Sequence, residues 1–409
     1  MKKIPELLMP AGSPDTLAVA LDYGADAVYL GSEALSLRAK ADNFDDAALK
    51  RALALCHGRG KKLYLAVNIF AHQEDLREAE KLFREISSWD DRPDAFIISD
   101  LGIFRLARRY APAVPVHIST QANSTNAETF LFWYELGVRR IVCARELSLD
   151  EIKSIREAIP EDMEIEVFVH GSMCISYSGR CLISNYLSGR DANRGLCTQP
   201  CRFSYRLEEA SRPGEYMPVQ ETEKGTYIFN SKDLCMIHHL PQLIEAGAVS
   251  LKVEGRMKNE LYAAVIARAY RRALDALKES EASYEALLHW CLEEIYKCTT
   301  REYCTGFYFG RPNEEAQHYP DSRYRQDYRF LGVVKLDEKG YYIRQKNKFY
   351  AGEEVEAVTP SGEDFSFKVE AFETEEGIRR DSCPHPGEKL YLHTQKQLQE
   401  NIIIREKSI

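Results

Sequence analysis

At 409 residues the chain is longer than one ordinary domain, because a single hydrophobic core usually stops growing near roughly 250–300 residues. Its 44% hydrophobic and 29% charged residues exclude a disordered or fibrous chain, and a net charge of −9 argues against a general binder of phosphate backbones. Pro5, Glu6 and Pro10 interrupt any apolar segment at the N-terminus, so we expect a cytoplasmic protein of two domains with no membrane contact.

The first part of the chain alternates short apolar runs with amphipathic stretches. Eight runs predict strands at 7–9, 27–30, 63–67, 95–98, 114–118, 140–143, 165–169 and 249–253. Helical patterns separate most of them, for example at 14–23, 74–89, 126–136 and 148–159, where Ser148 is a plausible N-cap. Gly24, Gly137 and Gly247 each end a helix just before a strand. The alternation predicts a TIM-like (β/α)8 barrel rather than an open doubly wound sheet.

The pattern changes after the eighth strand. Two helical stretches at 259–280 and 284–295 lead into a linker near 311–327 that is rich in Pro, Asn, Asp, Arg and Tyr. Short alternating runs punctuated by glycine follow, at 330–334, 341–344, 353–358, 365–369 and 389–393. We therefore predict a barrel domain at 1–310 and a small all-β domain at 328–409.

A long insertion separates the seventh and eighth predicted strands, at about 171–235. It contains five of the eleven cysteines, at Cys174, Cys181, Cys197, Cys201 and Cys235. Long ordered insertions are usually functional, and this one lies at the carboxyl-end face of the barrel, where barrel enzymes keep their active sites. In a reducing compartment, clustered thiols indicate a metal or catalytic role rather than disulfides.

Zinc and an iron–sulfur cluster are the two metal interpretations. Zinc knuckles usually present cysteines two to four residues apart, and only Cys197 and Cys201 approach that spacing. The irregular spacing favours an iron–sulfur cluster. Ordinary buried thiols are the better interpretation of the six cysteines without clustered partners, which are Cys56, Cys143, Cys291, Cys298, Cys304 and Cys383.

Basic residues accompany the cysteines within this acidic protein. The stretch from 174 to 205 carries the single acid Asp191 and four arginines, which are Arg180, Arg190, Arg194 and Arg202. These arginines are candidates for binding phosphate, and their alternative role is at a domain interface.

Polar residues at predicted strand ends are further candidates, because barrel geometry directs such residues into the pocket. His170 follows the seventh strand and is either a proton donor or a structural histidine. Glu254 and Arg256, beside Lys252, follow the eighth strand. They either bind a base or a carboxylated donor, or form an ion pair that stabilises the barrel mouth. Three more candidates close the fifth strand, namely His117, Gln121 and Asn123.

Several ordered motifs carry a resemblance to a known family. They are EVFVHGSMC at 166–174, SGRCLIS at 178–184, NRGLC at 193–197, NSKDLC at 230–235 and KVEGR at 252–256. Together they resemble the signature of the U-32 or collagenase-like peptidase family, across the barrel and more loosely the small β domain.

The resemblance implies a chemistry that differs from the family name. Its better-understood members are oxygen-independent hydroxylation proteins that carry a 4Fe-4S cluster. The branch that this chain resembles most hydroxylates tRNA at the wobble uridine, with prephenate implicated as the hydroxyl source, while other branches act on ribosomal RNA or quinone precursors. The ligands of the quinone branch correspond to Cys174, Cys181, Cys197 and Cys235, and the role of Cys201 stays open. A similar subunit is a further partner to expect.

Two other function classes compete with hydroxylation. A peptidase needs a nucleophile with a base, or a metal-bound water. The nearest candidates for a nucleophile are Ser172, close to His170, and Cys181, beside Arg180. A binding module would instead use the small β domain to dock tRNA or a partner subunit, with an aromatic-rich region at 324–330 stacking on RNA.

Overall fold

The computed structural model describes residues 4–32, 35, 44–173, 181–190, 192–194, 196–202, 206–208, 216–218, 232–298, 302–310 and 327–407. The chain divides into two compact units. The first comprises Met1–Pro14, Asp26–Met257 and Arg301–Tyr324, and the second comprises Asp15–Ala25, Lys258–Thr300 and Arg325–Ile409. Elements are numbered in chain order.

The first unit is built around a closed parallel barrel, as the alternating pattern predicted. Each strand pairs with the next, and the last strand pairs in parallel with both the seventh and the first, which closes the ring. The eight barrel strands are β1 (Glu6–Pro10), β2 (Ala27–Gly31), β3 (Lys62–Val67), β4 (Ala95–Ile98), β5 (Val116–Ile118), β6 (Arg140–Val142), β7 (Glu164–Gly171) and β11 (Ala248–Val253).

Two short strands extend this sheet beyond β7. The first is β10 (Asp233–Cys235) of the insertion, which runs antiparallel to the end of β7, and the second is β12 (Tyr303–Cys304), which follows the helices after the eighth barrel strand and runs parallel to β10. A separate hairpin pairs β8 (Arg206–Glu208) with β9 (Tyr216–Pro218). The insertion is thus joined by backbone hydrogen bonds to the carboxyl end of the barrel.

Ten α-helices occur in the described residues: α1 (Pro14–Asp22), α2 (Asp46–Gly58), α3 (Asp75–Ser87), α4 (Leu101–Tyr110), α5 (Ala127–Glu135), α6 (Leu149–Ala158), α7 (Ile183–Ser188), α8 (Leu240–Glu245), α9 (Glu260–Glu279) and α10 (Glu281–Tyr296). Ser148 caps α6 in a complete capping box with Glu151, which confirms the predicted N-cap. Gly24, Gly137 and Gly247 all have positive φ, as their predicted helix-ending positions require. None of the helices in the described part of the chain is long and apolar enough to span a bilayer.

The second unit contains the predicted all-β region together with helices α1, α9 and α10. Its strands are β13 (Tyr328–Asp337), β14 (Gly340–Gln345), β15 (Phe349–Tyr350), β16 (Glu354–Val358), β17 (Phe365–Lys368), β18 (Ala371–Glu373), β19 (Arg379–Arg380), β20 (Ser382–Cys383), β21 (Lys389–His393) and β22 (Ile403–Lys407). The antiparallel sheet has the order β17-β16-β22-β13-β14-β21-β18-β19, and β15 pairs with β20 in a separate two-stranded sheet. Leu331, Ile343, Phe372 and Ile404 belong to its buried apolar core.

Candidate active site

The interior of the barrel is polar at its centre. Lys252 of β11 donates a hydrogen bond to Glu166 of β7 over 2.8 Å, and both side chains are almost fully buried. Burial alone would raise the pKa of Glu166, but Lys252 and Arg140 outweigh it and hold that pKa below its usual value. Burial lowers the pKa of Lys252, and Glu166 offsets part of this effect. The interior therefore contains a desolvated ion pair.

Arg140 of β6 joins this pair to the amino-terminal end of the barrel. Its guanidinium lies 3.4 Å from Glu166, 2.6 Å from Glu6 and 2.7 Å from Glu164. Tyr64 of β3 donates to Glu6 over 2.8 Å. Lys252, at 2.8 Å, is therefore the closer of the two cations to Glu166. Arg140 is shared among three carboxylates and is bonded more closely to the other two.

His117 is the middle residue of β5 and lies inside this network. Its ring packs edge-on against Tyr64 with centroids 4.8 Å apart, and its Nδ1 has no hydrogen-bond partner among the described residues. Burial, followed by the charges of Arg140 and Lys252, holds the pKa of His117 well below its usual value. The imidazole is therefore neutral near pH 7, available to donate or accept one hydrogen bond.

Cations surround two aromatic rings at the carboxyl end of the barrel. Lys252 Nζ lies 4.4 Å from the ring centroid of Tyr29 and 5.7 Å from that of Phe168. The guanidinium of Arg145 lies 4.0 Å from the Phe168 centroid, and that of Arg256 lies 5.9 Å from the Tyr29 centroid. We call these five residues the cation–ring cluster. Desolvated cations beside aromatic faces suit a planar or carboxylated ligand.

Glu254 supplies a carboxylate at the edge of this cluster. It lies 3.8 Å from Arg145 and accepts a hydrogen bond of 3.4 Å from the Tyr29 hydroxyl. The single hydroxyl proton of Tyr29 is shared with the carbonyl oxygen of Val253, which is the closer acceptor at 2.9 Å. Glu254 is therefore positioned by Tyr29 of β2 and by Arg145, which follows β6, and its side chain is about 15% exposed.

His170 lies at the junction between the barrel and the insertion. It is 1% exposed, its backbone is paired with Cys235, and its carbonyl accepts from the Glu254 amide over 2.8 Å. The ring of Tyr303 packs 5.1 Å from the His170 ring, between centroids. Gly171 follows with φ +110°, and a Cβ there would lie 2.5 Å from the Glu254 carbonyl oxygen. This close approach fixes His170, Glu254 and Cys235 as neighbours.

The two amide candidates lie beyond β5 at the same end of the barrel. Gln121 belongs to a 3₁₀ helix, Thr120–Ala122, and accepts a hydrogen bond of 3.3 Å from the Asn68 amide. Asn123 caps that helix in the left-handed region, and its buried Oδ1 has no hydrogen-bond partner among the described residues. An unsatisfied buried amide oxygen is available to a ligand or an ordered water.

The segment that carries Cys181 is attached to the carboxyl end of β3. Asn193 Nδ2 donates to the Cys181 carbonyl over 3.1 Å, and the Asn193 carbonyl accepts from the Phe70 amide over 3.2 Å. Cys181 and Cys201 are half-buried, whereas Cys197 is exposed. The Cys197 sulfur accepts a hydrogen bond of 3.3 Å from the Gln199 amide. Such amide donors stabilise a thiolate.

The predicted metal ligands are only partly described. Cys174 lies outside the described residues, as does Arg180. Within the described residues no three His, Cys, Asp or Glu side chains are grouped so as to hold a metal. The four-cysteine ligand set therefore stays a prediction. Arg190 is half-buried, while Arg194 and Arg202 are described only through their backbone, in short 3₁₀ helices.

Sequence reasoning missed three members of the cation–ring cluster. Tyr29 and Phe168 occupy strand positions that read as ordinary apolar core, and Arg145 follows β6 without any recognisable motif. The positional signal applies only to Arg145, which follows β6 just beyond its carboxyl end, where active-site residues concentrate. Tyr29 and Phe168 lie within β2 and β7. Lys252 and Arg256 were identified by that criterion, and the same criterion extends to Arg145 alone.

These features define a closed (β/α)8 barrel protein whose carboxyl-end face combines buried cations, aromatic rings and a cysteine-bearing insertion. The chain belongs to peptidase family U32. The model of that family matches residues 12–318, and the model of the peptidase family U32 C-terminal domain matches residues 326–405.

Relatives similar along nearly the whole chain carry two kinds of name. "tRNA hydroxylation protein P1" of Bacillus subtilis (strain 168) is 37% identical, covering 99% of this chain and 95% of its own. "tRNA hydroxylation protein P" of Escherichia coli (strain K12) is 36% identical, covering 97% and 95%. "Collagenase" of Porphyromonas gingivalis (strain ATCC BAA-308 / W83) is 30% identical, covering 94% and 97%.

Proposed function

We propose that this protein hydroxylates tRNA at the wobble uridine, forming 5-hydroxyuridine without molecular oxygen. The observation that carries the proposal is the similarity, over at least 95% of both chains in each pair, to two relatives named tRNA hydroxylation proteins. These names support hydroxylation of RNA. The choice of the wobble uridine and the independence from molecular oxygen go beyond the names and are part of the proposal. A ribosomal RNA or a quinone precursor is the alternative substrate.

Nucleoside analysis of tRNA from a deletion strain tests this proposal. We expect 5-hydroxyuridine and its derivatives to disappear from the wobble position and to return when the gene is restored. The strain should also lack any paralogue, because a similar protein would mask the loss. Unchanged wobble hydroxylation in that strain contradicts the proposal, and a loss confined to ribosomal RNA or quinone supports the alternative substrates.

A 4Fe-4S cluster is the proposed cofactor, held by Cys174, Cys181, Cys197 and Cys235. Thiolates are the ligands that iron–sulfur clusters require, and a bound cluster would supply electron transfer. The fixed pairing of Cys235 with His170, together with the Asn193 link at Cys181, supports a site at the carboxyl end of the barrel. Zinc is the alternative metal.

Anaerobic purification distinguishes the two metals. We expect a brown protein with broad visible charge-transfer absorbance, and a colourless protein with stoichiometric zinc would contradict the cluster. Changing each of the four proposed ligands to Ser should remove iron and colour. Cys201→Ser is the matched control from the same segment, and its iron content decides whether the fifth thiol belongs to the ligand set.

Prephenate is the proposed source of the hydroxyl group. Its carboxylates suit the buried cations of the cation–ring cluster, where Arg145, Lys252 and Arg256 lie beside Tyr29 and Phe168. Calorimetric titration of the protein with prephenate should show binding that Arg256→Met weakens at least tenfold. Arg109→Met, on the outer helix α4, should bind normally. Equal affinity in the two variants would remove Arg256 from the site.

His170 and Glu254 are the proposed proton-transfer groups of this site. His170 is buried between the backbone of Cys235 and the amide of Glu254, so its ring is held at the entrance of the insertion. An imidazole and a carboxylate in one desolvated site can move a proton to and from the reacting base. We expect His170→Asn to lower kcat while leaving RNA affinity unchanged.

Peptide hydrolysis is the second candidate, favoured by the relative named collagenase. In the described residues Ser172 is engaged through its carbonyl, which accepts from Arg145 over 2.8 Å. Incubation with casein and collagen tests this function directly. Cleavage by purified protein that is abolished by Ser172→Ala or Cys181→Ser would support it, whereas cleavage unaffected by both changes indicates a contaminant.

A further inference from the structure

The short helix α7, next to Cys181, presents an exposed apolar surface. Tyr186 is 89% exposed, Leu182 is 68% exposed and Leu187 is 49% exposed. Leu182 is the N-cap residue of α7, and its carbonyl accepts from the Tyr186 amide over 2.9 Å, so the two side chains, four positions apart, lie on the same side of this first turn. A tyrosine this exposed contributes little burial to the fold, and a side chain of this size left in water suits a contact with a partner.

The backbone that carries Tyr186 is nevertheless well anchored. Ser184 is fully buried, and its hydroxyl accepts from the Thr198 amide over 3.1 Å. The carbonyl of Cys181 accepts from Asn193, which is in turn bonded to Phe70 just beyond β3. Tyr186 is thus an exposed ring on a segment fixed at the carboxyl end of the barrel, beside the proposed reaction site.

The charge of the surrounding segment indicates a polyanionic partner. Residues 180–202 contain four arginines and only one acid, within a chain of net charge −9. Helix α7 itself carries no charged residue, so its aromatic and aliphatic residues are flanked in the sequence by basic residues. Exposed rings within a basic surface are the usual platform for bases of single-stranded nucleic acid, which offer π-faces and phosphates together.

We infer that Tyr186 is a substrate-binding residue on which an unpaired base of a single-stranded RNA loop stacks, while Arg190, two residues beyond α7, binds a phosphate of the same loop. This inference rests on the proposed function, because it names the contact that holds the RNA loop at the barrel mouth. The bound RNA is a loop rather than a duplex, because a paired base keeps its faces stacked within the helix.

Binding of an unmodified anticodon stem-loop RNA to the purified full-length protein tests the inference. Tyr186→Ala should raise the Kd about 5- to 150-fold, the equivalent of about 1–3 kcal/mol for one stacked base. Tyr186→Phe and Tyr186→Trp should retain affinity because they retain a stacking ring. Phe132→Ala is the matched control, since it removes a ring that is 51% exposed on the outer helix α5.

The salt dependence separates stacking from phosphate contact. Tyr186→Ala should leave the slope of log K against log salt unchanged, whereas Arg190→Gln should reduce its magnitude by about 0.7 if Arg190 neutralises one phosphate of a single strand. Equal RNA affinity of wild type and Tyr186→Ala would overturn the inference. So would a change from a dimer to a monomer in Tyr186→Ala, since that result assigns the surface to a second copy of the chain.

Complementation of the deletion strain keeps this inference distinguishable from the proposed function. If wild type restores wobble hydroxylation, Tyr186→Ala should restore it only partly. The purified variant should then show an increased KM for the RNA and a nearly unchanged kcat. Full restoration by Tyr186→Ala overturns the inference alone. If wild type restores nothing, the proposed function fails, and the stem-loop affinities still decide whether Tyr186 binds RNA.

Discussion

Replacing Lys252 with Met tests the buried ion pair at the centre of the barrel. The change removes the ammonium that lies 2.8 Å from Glu166 and leaves that carboxylate fully buried. The remaining cation, Arg140, is 3.4 Å away and is already bonded more closely to Glu6 and Glu164. Breaking a buried pair by removing one partner costs about 3–5 kcal/mol. We expect a loss of that size in the free energy of unfolding of the barrel.

Chemical denaturation monitored by circular dichroism measures this loss, and an exposed pair in the same unit supplies the control. Lys153 lies 3.5 Å from Glu245, and the two side chains are 52% and 75% exposed. Because solvent screens such pairs, Lys153→Met should change stability by less than about 1 kcal/mol. Equal effects of Lys252→Met and Lys153→Met would refute the assignment of a strong interaction to the buried pair.

The pH dependence of the two proteins provides an independent check. The folded pKa of Glu166 is depressed, so its contribution is present above the unfolded value of 4.5 and is lost as the pH falls through the folded pKa. Without Lys252, burial of the carboxylate is less compensated and its pKa rises. The stability difference between wild type and Lys252→Met should therefore narrow as the pH falls from the raised folded pKa of the variant towards the depressed folded pKa of wild type. A difference that stays constant down to pH 3 would contradict this account.

Three further changes have expected outcomes. Asp91 and Asp94 raise the pKa of His57, so the stabilisation from the protonated imidazole is lost as the pH rises above 6.5. Wild type should therefore lose thermal stability over this range, whereas His57→Gln should not. Melting temperatures measured from pH 6 to 9 decide this. Gly171→Ala should lower both stability and hydroxylation, since its Cβ would meet the Glu254 carbonyl at 2.5 Å, and equal activity to wild type would contradict it. Ser148→Ala should cost about 1 kcal/mol in denaturation experiments with unchanged activity.

The barrel was predictable because its signals are local. Each parallel strand buried on both faces appears as a short apolar run, and several of the helices between strands show a capping residue or a terminal glycine. Ser148 illustrates this, since its hydroxyl donates a hydrogen bond to the carboxylate of Glu151, only three residues further along the chain. The closure between β7 and β11 followed from the strand count alone.

The candidate site was less predictable because its contacts join distant residues. Arg145 and Phe168 are 23 positions apart, yet the guanidinium lies 4.0 Å from the ring centroid. The pairing of His170 with Cys235 depends on β10, a three-residue strand inside the insertion whose sequence shows no alternation. Such proximity results from the closure of the barrel and the return of the insertion, which no local pattern encodes.

The buried charges of the barrel interior argue for a role beyond stability. Branched apolar side chains usually fill the interior of such a barrel, and replacing a buried ion pair by uncharged residues is often neutral or stabilising. If Lys252 and Glu166 only brace the barrel, the double variant Glu166→Gln/Lys252→Met should regain stability and keep its activity. If they set the charge beneath the cation–ring cluster, as we expect, both variants should be inactive although the double variant is more stable than Lys252→Met. Stability and wobble hydroxylation measured on the same three proteins therefore separate structural from functional reasons for keeping charge inside the barrel.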